Sequence, residues 1–334
     1  MSGEAGTVGA PLPDETVAAV LERYDLPPGD VELVNVSENI TYRVGEPQAD
    51  STVFLRVHRP RYNSITEIAS ELSWIEALRS DAGVLTPDVV TARDGSRFVV
   101  VEDAVTGPRV CVLFRRCPGV EPEVEDGLAA SFERLGEVSA SIHRHSERWA
   151  PPPWFHRRTW DFETTLGDRP HWGRWSDRPD VGDPERTLLR RAAHTIREHL
   201  TDYGSGPARY GLVHADMRLA NVLLDGPRTY VIDFDDCGYS WYLYDLATAL
   251  TLIEDAPHVP ELVDAWLRGY RHVRALDRSD LAVIPCLVVL RRILVMAWLA
   301  SHADTELARS EGADHTRVTC DLADRYLSGA LSYT

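Results

Sequence analysis

The sequence contains no lysine: all 35 basic residues are arginine. That absence excludes a Gly-Lys-Ser/Thr phosphate loop and any mechanism through a lysine Schiff base. Cysteine is scarce as well. Five are scattered through 334 residues (Cys111, Cys117, Cys237, Cys286, Cys320) without a C-x-x-C pair, which suits reduced thiols and excludes a disulfide framework or a cysteine zinc site. The longest apolar run, 281–290, is about ten residues before Arg291 and Arg292 interrupt it, well short of the ~20 that span a bilayer, so it reads as a core helix. Residues 1–15 lack the basic start and apolar stretch of a secretory signal, so the expected location is cytoplasmic. Positive charge is in deficit, with 52 acidic residues giving a net charge of −17. Such a balance argues against nucleic acid or an anionic membrane as partner and favours a cationic small molecule.

What is present is an ordinary globular composition, 44% hydrophobic, long enough for about two domains. Residues 1–13 read as a flexible tail, 14–117 as an N-terminal lobe and 118–334 as a larger helical lobe. In the first lobe a short helix (15–24) precedes β-branched runs at 31–36, 41–44, 52–58, 97–105 and 110–114, with one helix at 64–79. Helical periodicity then dominates, over 128–147, 185–203, 243–253, 259–273, 280–303 and 316–331. A small hairpin (222–224 and 230–232) is embedded among these helices. A segment with five tryptophans (Trp149, Trp154, Trp160, Trp172, Trp175) reads as an ordered excursion. The fold class expected is α+β.

The chemistry concentrates in 211–236, which reads H-x-D-x-x-x-x-N, an apolar pair, then D-F-D. Phosphoryl transfer needs a carboxylate to orient or deprotonate the attacking hydroxyl and oxygen ligands to hold magnesium on the phosphates. Asp216 fits the first role, and Asn221 with Asp233 the second. His214 opens the motif.

At these residues the chain resembles the aminoglycoside phosphotransferase and choline kinase superfamily, and within it the branch of homoserine kinase type II and stress-response kinase A relatives. The resemblance rests on His214-Ala-Asp216, Asn221, Ile232-Asp-Phe-Asp235 and Leu243-Tyr-Asp-Leu246, and extends from about residue 31 to 331. It implies a bilobal protein-kinase-like fold: a small antiparallel sheet with one helix, and a mostly α-helical C-lobe that binds substrate. It also implies ATP, with GTP as an alternative, and Mg2+. By the same resemblance Arg56, where relatives often carry lysine, contacts the α- and β-phosphates and pairs with Glu71. Arginine keeps the charge and adds a planar fork. Ser37 and Asn39, in a loop without glycine, are the expected phosphate-side contacts. Arg218 is expected beside the transferring phosphate, and Asp245 behind the catalytic loop.

The substrate is expected to be a small cationic hydroxyl compound, such as an aminoglycoside, amino sugar or amino alcohol. Asp235, Asp236, Glu254 and Asp255 with Trp241 would meet its ammonium group by ion pairing and cation–π contact. Two alternatives differ in class. A protein Ser/Thr kinase would need an activation segment, for which the residues between Phe234 and Asp245 leave little room. A nucleotide-binding pseudokinase is suggested by the missing lysine and glycines, against the joint presence of Asp216, Asn221 and Asp233.

Overall fold

A computed structural model describes residues 10–103, 106–122, 127–302 and 306–333, with residues 306–307 and 311–313 described by their backbone alone. Residues 1–9 of the expected tail therefore lie outside the described residues, as do Ala104 and Val105 of the expected strand 97–105 and Ala303 of the expected helix 280–303. The chain divides into two compact units. One comprises Met1–Gly119, Pro151–Arg157 and Tyr230–Asp235, the other Val120–Ala150, Arg158–Thr229 and Asp236–Thr334.

The first unit is built on α1 (Asp14–Leu21), β1 (Val31–Val36), β2 (Ile40–Val44), β3 (Val53–Val57), α2 (Ile65–Ala82), β4 (Val99–Asp103) and β5 (Gly107–Arg115). The strands form one antiparallel sheet in the order β1-β2-β3-β5-β4. Alternation along β5 sorts its side chains between two cores, as a pleated strand must. Cys111 and Leu113 join Leu55, Val57, Tyr42 and the α1 residues Val17 and Val20. Val110, Val112 and Phe114 face the other way, onto Ile68 and Leu72 of α2. Helix α2 begins where Ser64 and Glu67 form a reciprocal capping box and ends at Gly83, whose φ of 65° suits a residue without Cβ. The expected strand at 97–105 begins only at Val99, and 110–114 extends back to Gly107 because β5 pairs with β4 as far as Asp103–Gly107.

In the second unit follow α3 (Leu128–Arg148), α4 (Phe162–Thr165), α5 (Asp183–Tyr203), β6 (Tyr210–Val213), β7 (Val222–Asp225), β8 (Arg228–Val231, whose end belongs to the first unit), β9 (Gly238–Trp241), α6 (Tyr244–Ala249), α7 (Val259–Val273), α8 (Arg278–Ser301) and α9 (Glu306–Leu327). Strands β6 and β9 pair antiparallel, and were not anticipated because, unlike the equally short β7 and β8, they are not joined by a tight turn and lie far apart in sequence. Helix α6 is shorter than the expected 243–253, since the left-handed Leu252 (φ 73°) interrupts helical backbone. Helix α9 starts about ten residues before the expected 316. Its first turns, ELARSEGADH over residues 306–315, are mostly small and polar and carry no apolar stripe.

Helices α3 and α7 meet backbone to backbone. A Cβ on Gly136 would lie 2.0 Å from the Trp266 carbonyl oxygen, and one on Gly269 1.8 Å from that of Glu133. Helix α8 is apolar and long enough to cross a membrane by length and composition, with mean hydropathy 2.1, yet 78% of its most apolar window is buried in protein. It is the core helix of this unit. Of the tryptophan-rich segment, Trp160, Trp172 and Trp175 are buried and Trp154 is exposed.

Candidate active site

In the first unit the site is organised around Arg56. Its position on β3, opposite Val112, turns its side chain to the α2 face. There the guanidinium forms an ion pair with the fully buried Glu71, lies 4.9 Å from the Phe114 ring centre and donates to Asp233 Oδ1 at 3.3 Å. Burial by itself would lower the proton affinity of Arg56, but Glu71, Asp235 and Asp233 outweigh it and raise its pKa above the ordinary arginine value. Glu67, one turn earlier, spends its carboxylate on capping α2 at Ser64. Asp233 has a φ of 62°, a left-handed conformation that costs a non-glycine residue about 1–3 kcal/mol and is typically retained at functional sites.

Asp235 is turned inward. Its Oδ1 accepts from Asn63 Nδ2 (2.8 Å) and faces His58 Nδ1 (3.3 Å), its Oδ2 accepts from Asn39 Nδ2 (3.1 Å), and its carbonyl accepts from Arg157 Nη2 (2.6 Å). Desolvation opposes its ionisation, but His58, Arg56 and Arg59 together hold its carboxyl well below the usual range. Burial and then Arg56 push His58 down, so its imidazole is neutral near pH 7. His58, Glu71 and Asp235 bring ligand-type atoms within 4.8 Å of one another, but the two arginine charges already balance these carboxylates. Asn39 departs from the expected phosphate contact in the same way. Its amide nitrogen is spent on Asp235 and its amide oxygen accepts the Arg59 backbone N–H at 3.1 Å, so it anchors the loop internally. Ser37 stays exposed, its hydroxyl accepting from Asn35 at 3.0 Å.

In the second unit β6 delivers the chain into 214–221. Ala215 adopts φ 67°, and the strain is held by Asp245, whose Oδ1 accepts the Ala215 N–H (2.7 Å) and Oδ2 the His214 N–H (3.0 Å). Asp245 is completely buried, and its Oδ2 also meets His143 Nε2 at 2.9 Å. Desolvation lowers the His143 pKa, so the neutral ring donates from Nε2 to Asp245 and accepts from Tyr270, 3.0 Å from Nδ1. The expected bracing by Asp245 thus extends back through His143 and Tyr270, which sequence reasoning did not single out.

Asp216 is gripped at both oxygens. Arg291 Nη2 reaches Oδ1 at 2.6 Å, while Arg218 Nε and Asn221 Nδ2 reach Oδ2 at 3.0 and 2.9 Å. His214 accepts the Asp216 N–H through Nδ1 at 3.3 Å. Burial would raise the Asp216 pKa, but Arg218, Arg291 and His214 prevail and hold it low, leaving a carboxylate at neutral pH. Because Asn221 donates through its nitrogen, its amide oxygen is directed elsewhere and suits a hard divalent cation, as do the carboxylate oxygens of Asp233. Arg291 was legible only indirectly: two charges inside a buried apolar helix require internal partners. Its neighbour Arg292 pairs with Glu254 at 2.6 Å.

That pair corrects the expectation for Glu254, whose buried carboxylate faces Arg292 rather than a ligand. Trp241 is likewise a packing residue. It is buried, donates its indole N–H to the Gly204 carbonyl at 2.9 Å and stands edge-on to Tyr210. Asp235 is consumed inside the first unit, as described. Asp255 is exposed, and Asp236 is buried 4.0 Å from Arg158, with its charge acting on Tyr244 and Arg291.

Residues 31–281 match the model of the phosphotransferase enzyme family. The chain belongs to that family. It is a phosphotransferase with an alcohol acceptor, a small-molecule kinase with the protein-kinase-like fold. Among solved structures, a microcompartment-associated aminopropanol kinase is 44% identical, superposes with a TM-score of 0.87 and covers 96% of this chain and all of its own. The amicoumacin kinase of Bacillus subtilis is 24% identical over 86% of this chain and 84% of its own. An amicoumacin kinase in complex with AMP-PNP, Ca2+ and Ami shares the fold, with a TM-score of 0.74 at 22% identity over 97% of this chain and 95% of its own.

Proposed function

We propose that this phosphotransferase moves the γ-phosphoryl group of ATP to the hydroxyl of a short amino alcohol, with Asp216 as the general base. The substrate class is carried by the 44% identity, over nearly the whole chain, to an aminopropanol kinase. The net charge of −17 is in keeping with a cationic acceptor. Asp216, held ionised, orients the hydroxyl and accepts its proton as the oxygen attacks phosphorus. Arg56, kept in place by Glu71, takes the α- and β-phosphates in the role lysine fills elsewhere. Asn221 and Asp233 offer oxygen donors suited to Mg2+, which when bound would neutralise charge on the phosphate oxygens. Arg218, its side chain 40% exposed, exchanges its contact with Asp216 for the γ-phosphate. Asp236 anchors the ammonium group. The five free cysteines are in keeping with a reducing, cytoplasmic location.

ADP release, with detection of the phosphorylated product by mass, tests this across 1-amino-2-propanol, ethanolamine, choline, an aminoglycoside and a neutral diol. Turnover is expected to be fastest with the short amino alcohols and to require a divalent metal. Equal turnover of the diol overturns the cationic acceptor, and ADP release indifferent to every acceptor overturns the kinase reaction itself.

A further inference from the structure

Arg291 lies ten residues beyond the end of the family match, inside the apolar, largely buried helix α8. We propose that Arg291 is the positioning residue of this enzyme's base. It fixes the rotation of the Asp216 carboxylate and leaves one lone pair of Oδ1 to receive the acceptor hydroxyl. The proposal rests on the reading of Asp216 as the base.

A carboxylate offers about four lone-pair sites. Asn221 and Arg218 take the two on Oδ2, and Arg291 takes one on Oδ1 at 2.6 Å. The site that remains is therefore on the oxygen that Arg291 holds. Arg291 is also held without reference to Asp216. Its Nε donates to Thr251 Oγ1 at 3.1 Å, its Nη1 to the Ala215 carbonyl and the Tyr244 hydroxyl, each at 3.4 Å, and its guanidinium carbon lies 5.2 Å from the Trp172 ring centre. Only 4% of its side chain is exposed, against 40% for Arg218. Of the two arginines on the base, Arg218 is built to leave and Arg291 to stay. A buried guanidinium is costly unless fully paired, and here the pairing converges on the base and on the carbonyl of the residue before it. This arrangement also brings the tryptophan-rich excursion into the base's surroundings, since Trp172 covers the guanidinium. A planar fork is what such a clamp needs, because a lysine ammonium could not serve Thr251, Tyr244, Ala215 and Asp216 from one rigid group.

The test is a double-mutant cycle on the full chain: parent, Arg291→Met, Asp216→Asn and the double variant, with Arg291→Lys alongside. Readouts are kcat and KM for acceptor and ATP, ATP affinity by calorimetry, and the unfolding midpoint. Arg291→Met is expected to lower kcat by about 10²-fold, with KM for ATP and ATP affinity within about twofold of the parent. Once Asp216→Asn has removed the base, the same change should cost less than about twofold more, and Arg291→Lys should recover part of the loss. Equal losses in the two backgrounds, or parental kcat in Arg291→Met, overturn the proposal. If Asp216→Asn itself keeps parental turnover, the base reading falls and takes the proposal with it. If Asp216→Asn is impaired while Arg291→Met is not, only the proposal falls. Should Arg291→Met fail to fold, Arg291→Gln enters the same cycle and is judged by the same outcomes.

Discussion

The two units use one kind of interaction with opposite polarity. In the first, the guanidinium of Arg56 is set among the carboxylates of Glu71, Asp233 and Asp235. In the second, a single carboxylate, Asp216, is set among Arg291, Arg218 and the amide of Asn221. The surrounding anions in one hold the cation in its charged form. The surplus of donors in the other keeps the carboxylate ionised and oriented. In a chain without lysine, both tasks fall to planar forks that tolerate burial when paired.

The comparison is most sharply tested at Asp216. Asp216→Asn retains the shape of the side chain but removes the proposed proton acceptor, so turnover should fall by ~10² or more while nucleotide binding persists. Steady-state kinetics with calorimetric ATP titration checks both halves. Next in size is Asp245→Ala, which leaves the His214 and Ala215 N–H groups and His143 without their partner. A loss of about 3–5 kcal/mol in urea unfolding is expected, as for breaking other buried pairs, together with loss of activity.

In the first unit Arg56→Ala should weaken nucleotide binding strongly and Arg56→Lys should restore part of it, since the charge returns without the fork. Glu71→Gln should act more mildly. A silent Arg56→Ala in the same titration would break the symmetry between the two units.

A pH series separates histidines from carboxylates. Burial, reinforced by Arg292, pushes the His315 imidazole down to about 3, and His58 and His143 are depressed as well. Below the ordinary histidine value of about 6.5 the unfolded chain binds protons that the folded chain refuses, so stability falls as pH drops toward 4. The depressed carboxyls of Asp216 and Asp235 contribute stability lost only at lower pH, below about 3.8. Urea midpoints between pH 7.5 and 4 should therefore decline in the parent and decline less in His315→Gln. The smallest expected effect is Glu67→Gln, which weakens the α2 capping box by about 1 kcal/mol or less and leaves kinetics near parental.

Much of this was legible in the sequence, for identifiable reasons. Period-two and 3.6-residue patterns are strong wherever a face is buried, and they located β2, β3, α2, α3, α5 and α7 to within a few residues, while β1, exposed along its whole length, was found by its β-branched composition. They are weak where a short strand pairs with a partner far away in sequence or a helix lacks an apolar stripe, which hid β6, β9 and the start of α9. Among the site residues, the expected pairing of Arg56 with Glu71 is the one the structure contains, while Glu67, one turn earlier, caps its own helix. Acidic residues chosen by proximity in sequence fared differently. Asp235 and Glu254 are acids whose buried partners, His58 with two asparagines and Arg292, come from distant parts of the chain, and no local pattern announces such pairing. Arg291 and His143 escaped notice for the same reason.

The glycine seam between α3 and α7 acts as a gauge for the chemistry. His143 lies about two helical turns past Gly136 on α3, and Tyr270 directly follows Gly269 on α7. The separation of the two helices therefore sets the span of the His143–Tyr270 bond, and through Asp245 the posture of the loop that carries Asp216. A single methyl group added at Gly269 has nowhere to go but into the Glu133 carbonyl, so it would detune a carboxylate it never touches. Enzymes derived from this scaffold by mutation are accordingly freer to vary the surroundings of their substrate than to vary these two glycines.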